Sequence, residues 1–348
     1  MSWMLYGANG YTGALVAREA VRRGQRPILA GRSRATVEPL ALELGLEARV
    51  FALEGTPPAS ALAGVTLVLN CAGPFSATAA PMMAACIAAR AHYLDITGEI
   101  PVFELAQAQG AAAGAAGVVL CPGVGFDVVP TDCVALCLKE ALPDATHLAL
   151  GFDAQSRLSR GTARTMVEGL GQGGCVRADG ALRRVPFGYR ARRIDFGAGE
   201  KLATTIPWGD VSTAYHTTGI PNVEVYVPVS PRALAALRRL RYVRGLLALP
   251  PVQRFLKSRV ARQPPGPDEA ERGRTPMRVW GEVRNAAGRT RTAHLVTANG
   301  YTVTVHASLG IVERLLAGGA APGATTPARL MGARYVETLP GSGPITLA

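Results

Sequence analysis

The sequence predicts an α/β fold in two parts: a parallel sheet covered by helices on both faces, then a second α+β domain built on a mixed or antiparallel sheet. Three observations carry this expectation. With 348 residues the chain is long enough for two cores of the usual ~100–200 residues. As far as Pro122, short and almost wholly apolar runs alternate with helical patterns, as strands buried on both faces require. From about Gly123 the runs become alternating, the mark of strands with one wet face. Domains are therefore expected at 1–125 and 126–310, with 311–348 returning toward the first.

The first strand, Trp3–Tyr6, runs into Gly7, Gly10 and Gly13 and a helix over Tyr11–Arg23. In that helix Leu15, Ala17 and Val21 are set for packing, while Arg18, Glu19, Arg22 and Arg23 take the wetter positions, with Gly24 as the C-cap. Further strands are expected at Pro27–Ala30, Ala48–Leu53, Val65–Cys71, Tyr93–Ile96 and Val118–Cys121, which makes the first domain Rossmann-like. A helix over Thr131–Ala141 leads into the second domain, whose strands include the THLALGFDA segment and Asn222–Ser230. Met277–Val283 and Thr292–Val296 precede TVTVHASLG, and this late stretch is expected to supply further strands. The run QPPGPDEAERG at Gln263–Gly273 reads as a surface loop or mobile segment. A short helix near Ile311–Ala317 and another starting at Pro327 close the chain.

Composition narrows the function classes. Forty Gly and 25 Pro fall without a period, which excludes a collagen-like or low-complexity chain. The six cysteines, Cys71, Cys86, Cys121, Cys133, Cys137 and Cys175, show neither zinc-ligand spacing nor CxxC and read as core thiols in a reducing compartment. No basic leader precedes the first apolar run, and that run is far shorter than the ~20 residues that span a bilayer. A cytoplasmic protein is expected, at most peripheral to a membrane. A formal charge of +12 favours an anionic partner without choosing among a phosphorylated cofactor, an acyl carrier, a lipid surface and nucleic acid.

The loops leaving the strands carry the chemistry. Gly7, Asn9, Gly10, Tyr11, Thr12 and Gly13 have the form of a pyrophosphate cradle: a tight turn, a backbone open to close approach, and a helix N-terminus facing negative charge. A glycine triplet alone also fits a bland turn. After the second strand, Gly31, Arg32 and Ser33 stand where an NAD site places an acid on the ribose. A guanidinium and a hydroxyl there suit a 2′-phosphate, so NADP(H) is the expected cofactor. The competing reading makes Arg32 and Arg34 a solvated pair.

Ala72, Gly73, Pro74 and Phe75 follow the fourth strand and turn the chain toward the pyrophosphate and nicotinamide ribose, with Asn70 as a contact or a local Asx-type cap. Thr97 and Gly98 follow the fifth strand on the cofactor side. Glu99, Phe126, Asp127 and Asp132 are candidates for substrate binding, although Asp127 or Thr131 equally suits the capped start of a helix.

Together, YGANGYTG, AGRS, NCAGPF, YLDITGE and PGVGFDVVPTD resemble the saccharopine dehydrogenase-like oxidoreductase family, within the subgroup of trans-acting enoyl reductases. The resemblance implies that the glycine segment holds the cofactor phosphates, AGR selects the 2′-phosphate, and the last two segments face the nicotinamide. It implies a reductase delivering hydride to an activated C=C, with saccharopine-type C–N chemistry as the alternative.

There is no Tyr-xxx-Lys pair, GxSxG elbow or metal-binding cluster. Tyr215 and His216, in a hydroxyl-rich segment, are the candidate proton donors against a surface-loop reading. An NADPH sensor without turnover is the reading from another class, separated from an enzyme by whether Phe75, Thr97 and Phe126 line an enclosed cavity. The expected partners are a hydrophobic acyl or small-molecule substrate, and an acyl carrier or anionic lipid surface through the basic residues 232–262. The competing view of that segment is a packed helix pair with its arginines in solvent. A homodimer is left open, and no specific nucleic acid is expected.

Overall fold

A computed structural model describes residues 2–53, 59–154, 157, 159–247, 249–264 and 266–348. Ala248 and Pro265, which fall inside two of the segments discussed above, lie outside the described residues. Two compact units result, Met1–Val129 with Tyr301–Met331 and Pro130–Gly300 with Gly332–Ala348.

The first unit alternates β1 (Ser2–Tyr6), α1 (Tyr11–Arg22), β2 (Ile28–Gly31), α2 (Arg34–Leu44), β3 (Ala48–Val50), β4 (Val65–Asn70), α3 (Phe75–Ala89), β5 (His92–Asp95), α4 (Ile100–Ala108), α5 (Gly110–Ala116) and β6 (Val119–Cys121). Met4, Leu5, Leu29, Leu67, Val68, Leu69, Leu94 and Leu120 are all completely buried. Sheet strands covered on both faces need this run of apolar residues. Helix α1 buries Gly13, Val16, Ala17 and Ala20, so its packing stripe lies one position away from the predicted Leu15 and Val21. Small side chains there let the helix lie close to the sheet. Arg23 is the half-helical cap, and Gly24 takes the positive φ just beyond it.

The second unit contributes α6 (Val129–Ala141), β7 (Ala145–Asp153), α7 (Arg160–Gly169), β8 (Gly174–Ala178), β9 (Ala181–Val185), β10 (Ala191–Asp195), β11 (Glu200–Thr205), α8 (Asp210–Thr218), β12 (Asn222–Pro228), α9 (Pro231–Leu247), α10 (Pro250–Ala261), α11 (Glu269–Arg274), β13 (Met277–Asn285) and β14 (Thr290–Thr297). Then α12 (Gly300–Leu316), β15 (Gly323–Ala324) and α13 (Pro327–Met331) belong to the first unit, and β16 (Thr346–Leu347) to the second. The return to the first unit thus begins at Tyr301, ten residues before the expected 311, and the last residues leave it again.

The first sheet is parallel throughout, in the order β15-β6-β5-β4-β1-β2-β3. The order reverses at β1, with β2 on one side and β4 on the other, which is where open parallel sheets hold ligands beyond their carboxyl ends. The second sheet runs β10-β11-β12-β7-β13-β14-β16 and is mixed, because β12 and β7 are parallel while the other pairs are antiparallel.

Two local expectations change. Thr302–Gly310 is helical, inside α12, although its β-branched alternation favours a strand. Val303, Ala307, Ile311 and Leu315 form one buried helical row and Val305, Leu309 and Val312 another, so tertiary burial at the helical period overrides propensity. The acidic end of the predicted loop at Gln263–Gly273 starts α11, because the Asp268 carboxylate accepts the Glu271 N–H at 2.8 Å as an N-cap.

Helix α12 is tied to α1 by Arg23, which reaches Glu19 at 2.9 Å and Glu313 at 3.1 Å. Leu309→Ala should cost about 2–5 kcal/mol, the usual cost of emptying a buried leucine site. Arg314→Ala, on the wetter face of the same helix, should stay within about 0.5 kcal/mol. Urea unfolding of the two variants checks this, and equal effects would contradict the burial pattern.

Candidate functional site

The glycine turn between β1 and α1 separates into residues the fold needs and one it does not. Gly7 has φ +78°, and a Cβ there would stand 2.7 Å from the Ala72 nitrogen. Only glycine lets β1 turn so close to the chain leaving β4. A Cβ on Gly13 would stand 2.3 Å from the Gly7 carbonyl oxygen, so α1 can meet the turn only through hydrogen. Gly10 differs. Its φ is −72°, it is exposed, and the nearest atom to an added Cβ is the Gly7 oxygen at 3.3 Å. Gly10 is the N-cap of α1 and offers no side-chain acceptor to the first-turn amides, and no acid stands in that turn. A helix N-terminus left this way, above an open glycine, fits a pyrophosphate by charge and by space.

The carboxyl end of β2 lies beside this turn, with Asn9 Oδ1 3.1 Å from the point where Gly31 would carry a Cβ. The two arginines beyond it have different surroundings. Arg34 pairs with Glu38 one turn along α2, whereas Arg32 is exposed and forms no ion pair or hydrogen bond among the described residues. Ser33 is the N-cap of α2 without making the cap bond. Among the described residues no acid engages this cation or this hydroxyl, which fits a 2′-phosphate better than a ribose diol.

On the β4–β6 side the loops are organised around buried polar groups. Asp95 is completely buried and accepts the Tyr93 hydroxyl at 2.7 Å, the Thr97 N–H at 3.0 Å and the Gly123 N–H at 2.9 Å. Burial outweighs these three donors and pushes its carboxyl up to about 6. Asn70 acts as a local Asx-type cap, its Oδ1 accepting the Ala72 N–H at 3.0 Å. Thr97 is fully buried, with its hydroxyl accepting the Glu99 N–H at 3.0 Å, so its side chain shapes the loop and presents nothing outward. Glu99 accepts the Phe75 N–H at 2.9 Å and the Ser76 N–H at 2.7 Å. Its carboxylate therefore sits on the N-terminus of α3, where charge and helix dipole favour it.

Ala72, Gly73 and Pro74 remain partly or fully exposed where the chain leaves β4, with a cis Gly73–Pro74 bond. Phe75 and Phe126 are buried. Asp127, on the loop after β6, packs its carboxyl against Gly98, with Oδ2 3.1 Å from the point where a Cβ would stand. Burial pushes this carboxyl up to about 7.

Three sequence candidates fall in the second unit. Asp132 is completely buried in the first turn of α6 and accepts the Thr217 hydroxyl, which pins α8 within the second unit. Tyr215 and His216 lie on α8 itself, so neither belongs to a loop at the end of the parallel sheet. The Tyr215 ring sits under the Arg177 guanidinium at 4.2 Å. Two residues of the first unit escaped the sequence reading because they come from the late chain. Tyr301 meets Tyr11 edge-on with ring centroids 5.1 Å apart, and Thr304 Oγ1 accepts the Phe126 N–H at 2.9 Å. Their only sequence signal was a segment that read as a strand.

Residues 3–121 match the saccharopine dehydrogenase NADP binding domain. A trans-acting enoyl reductase of Mycobacterium tuberculosis is 30% identical over 186 residues, 48% of this chain and 44% of that protein. The human saccharopine dehydrogenase-like oxidoreductase is 33% identical over 150 residues, 37% of this chain and 35% of that one. The chain thus covers less than half the length of these curated relatives. Among solved structures, apo saccharopine dehydrogenase (L-Glu forming) from Saccharomyces cerevisiae aligns with a TM-score of 0.66 at 12% identity, over 100% of this chain and 99% of that one. At that identity the likeness speaks for the fold alone.

The glycine geometry predicts a split between two variants. Gly10→Val should fold, with the Gly7 carbonyl yielding a few tenths of an ångström, and lose dinucleotide binding, because its methyls occupy the exposed side of the turn. Gly13→Val should lose stability by more than about 3 kcal/mol, since backbone cannot yield as a side chain does. Calorimetric binding and thermal unfolding separate the two, and retained affinity in a folded Gly10→Val protein would place the phosphates elsewhere.

Asp127 predicts a pH dependence. Its folded value near 7 lies above the ~3.9 of an unfolded aspartate, so the folded state binds the proton more tightly. Stability therefore falls as pH rises from about 4 to about 7 and is level beyond. At ~1.4 kcal/mol per unit, Asp127→Asn should gain roughly 2–3 kcal/mol on the parent between pH 5 and pH 8. Urea unfolding at the two pH values checks this, and parallel behaviour of the two proteins would refute it.

Proposed function

We propose, from the match of residues 3–121 to the saccharopine dehydrogenase NADP binding domain, that the chain is an NADPH-dependent reductase acting on the activated C=C of an acyl or lipid-linked enoyl substrate. The observation that carries the reading is the pairing of an exposed glycine turn with an Arg32 that has no partner among the described residues at the neighbouring strand end. The enoyl acceptor is supported by the name of the mycobacterial relative.

When bound, the dinucleotide supplies the hydride. The chain holds and orients. The amides at the start of α1, with Gly7, Asn9, Gly10, Tyr11, Thr12 and Gly13 around them, receive the pyrophosphate. Gly31, Arg32 and Ser33 take the 2′-phosphate, with Arg32 as a charge-assisted donor. Ala72, Gly73 and Pro74 present backbone at the β4 end, while Phe75, Thr97 and Gly98 shape the surface from beneath. Reduction of an enoyl group also needs a proton, and Asp127 is suited to hold one near neutral pH because desolvation favours its protonated form.

Arg32→Ala should weaken NADPH about 10–100-fold, the equivalent of the ~1.5–3 kcal/mol of a hydrogen bond to a charged group, and leave NADH nearly unchanged. Equal affinity of the parent for NADPH and NADH, by calorimetry, would overturn the cofactor site. Steady-state NADPH oxidation should be fastest with enoyl thioesters in a panel that also holds ketones, imines and saccharopine. Preference for an imine or for saccharopine would replace the enoyl acceptor with C–N chemistry.

A further inference from the structure

Helices α9 and α10 carry a surface that the reductase reading does not use. Residues 232–262 hold eight arginines and Lys257 with no acid. Leu234 and Val260 are buried and anchor the two helices. On the outside are Tyr242 (75% exposed), Leu246 (60%), Leu249 (46%) and Phe255 (61%), four of the nine large apolar side chains exposed among the described residues. They lie on the last turns of α9, at Leu249 and on the first turns of α10, at the corner between the two helices. Pro250, at the first position of α10, fixes that corner.

Cations frame it. Arg232, Arg239, Arg254, Arg259 and Arg262 are exposed and form no side-chain hydrogen bond or ion pair among the described residues. The two other basic groups described here are engaged within the unit, Lys257 with Glu168 at 2.6 Å and Arg238 with the Gly188 carbonyl at 3.2 Å. Free and engaged cations are thus distinct sets.

We infer that the α9–α10 corner docks peripherally on an anionic lipid bilayer, with Tyr242, Leu246, Leu249 and Phe255 entering the headgroup region and the free arginines pairing with lipid phosphates. Charge complementarity favours this occupant. A bilayer presents diffuse negative charge directly above an apolar layer, matching cations spread over two helices around an apolar tip. Nucleic acid would use the arginines but leave Leu246 and Leu249 unexplained. No helix among the described residues is long and apolar enough to cross a membrane, so the contact is one of adsorption.

The test is co-sedimentation of the whole chain with vesicles of phosphatidylglycerol and phosphatidylcholine, against vesicles of phosphatidylcholine alone. Binding should need phosphatidylglycerol and weaken as salt approaches about 1 M, where the screening length falls to ~3 Å. The triple variant Arg239→Glu, Arg254→Glu, Arg259→Glu should lose binding about tenfold or more, and so should Leu246→Ser with Phe255→Ser. All these positions are exposed, and unchanged thermal unfolding with intact NADPH binding shows that the variants are folded. No sedimentation at low salt would overturn the proposal, as would binding only to an acidic acyl carrier protein added in place of vesicles. Full binding by the Leu246→Ser, Phe255→Ser protein would overturn the apolar insertion.

Discussion

The ligand end of the first unit depends on one buried carboxylate. Asp95 accepts hydrogen bonds from its own strand, from the loop after it and from the loop after β6. Through Tyr93 it also reaches Asn70, whose amide lies 3.5 Å from the phenol oxygen. Three strand ends are therefore held in register by one side chain that touches no solvent. Removing a partner from such a group leaves a desolvated charge or an unanswered donor, and either costs more than the bond itself contributes. Glu99 extends the arrangement by bringing the β5 loop onto the first amides of α3. The polar groups of these loops answer one another, which leaves their outer surface available for a ligand.

That division runs through the whole site. Gly7 and Gly13 are required by close backbone contacts within the unit, and Asn70, Thr97 and Glu99 each accept a backbone N–H there. Gly10 and Arg32 are less so: a Cβ at Gly10 would meet only the Gly7 carbonyl oxygen, at 3.3 Å, and Arg32 has no ion pair or hydrogen bond among the described residues. Residues of the second kind are the better guide to function, because packing does not explain their identity.

The parallel sheet was legible in the sequence because strands buried on both faces must be short and apolar, and β1, β2, β4, β5 and β6 fall within a residue or two of their expected places. The glycine turn was legible for a related reason, since steric need and ligand need put glycine at the same spacing. Glu99 and Asp132 were harder. A carboxylate in a loop reads the same whether it meets a substrate, a helix N-terminus or a threonine hydroxyl, and only the fold brings Ser76 or Thr217 to it. Helix α12 misled for the opposite reason: Thr302, Val303, Thr304 and Val305 favour extended chain locally, while the core into which they pack is contributed by residues far earlier in the sequence. Tyr301 and Thr304 were hidden with it.

The chain's path has a consequence for its synthesis. The sheet begun by β1 is completed at its far edge by β15, whose Gly323 and Ala324 pair with Val119 and Leu120. At ~5–20 residues per second, the ~200 residues between β6 and β15 occupy a ribosome for roughly 10–40 s. Throughout that interval β6 is an unpaired apolar edge, and the Phe126 amide waits for Thr304. Exposed edges of this kind template association between chains. The nascent protein is thus most vulnerable while its second unit is being made, and a ribosome that stalls before residue 323 leaves a sheet whose edge has no partner of its own.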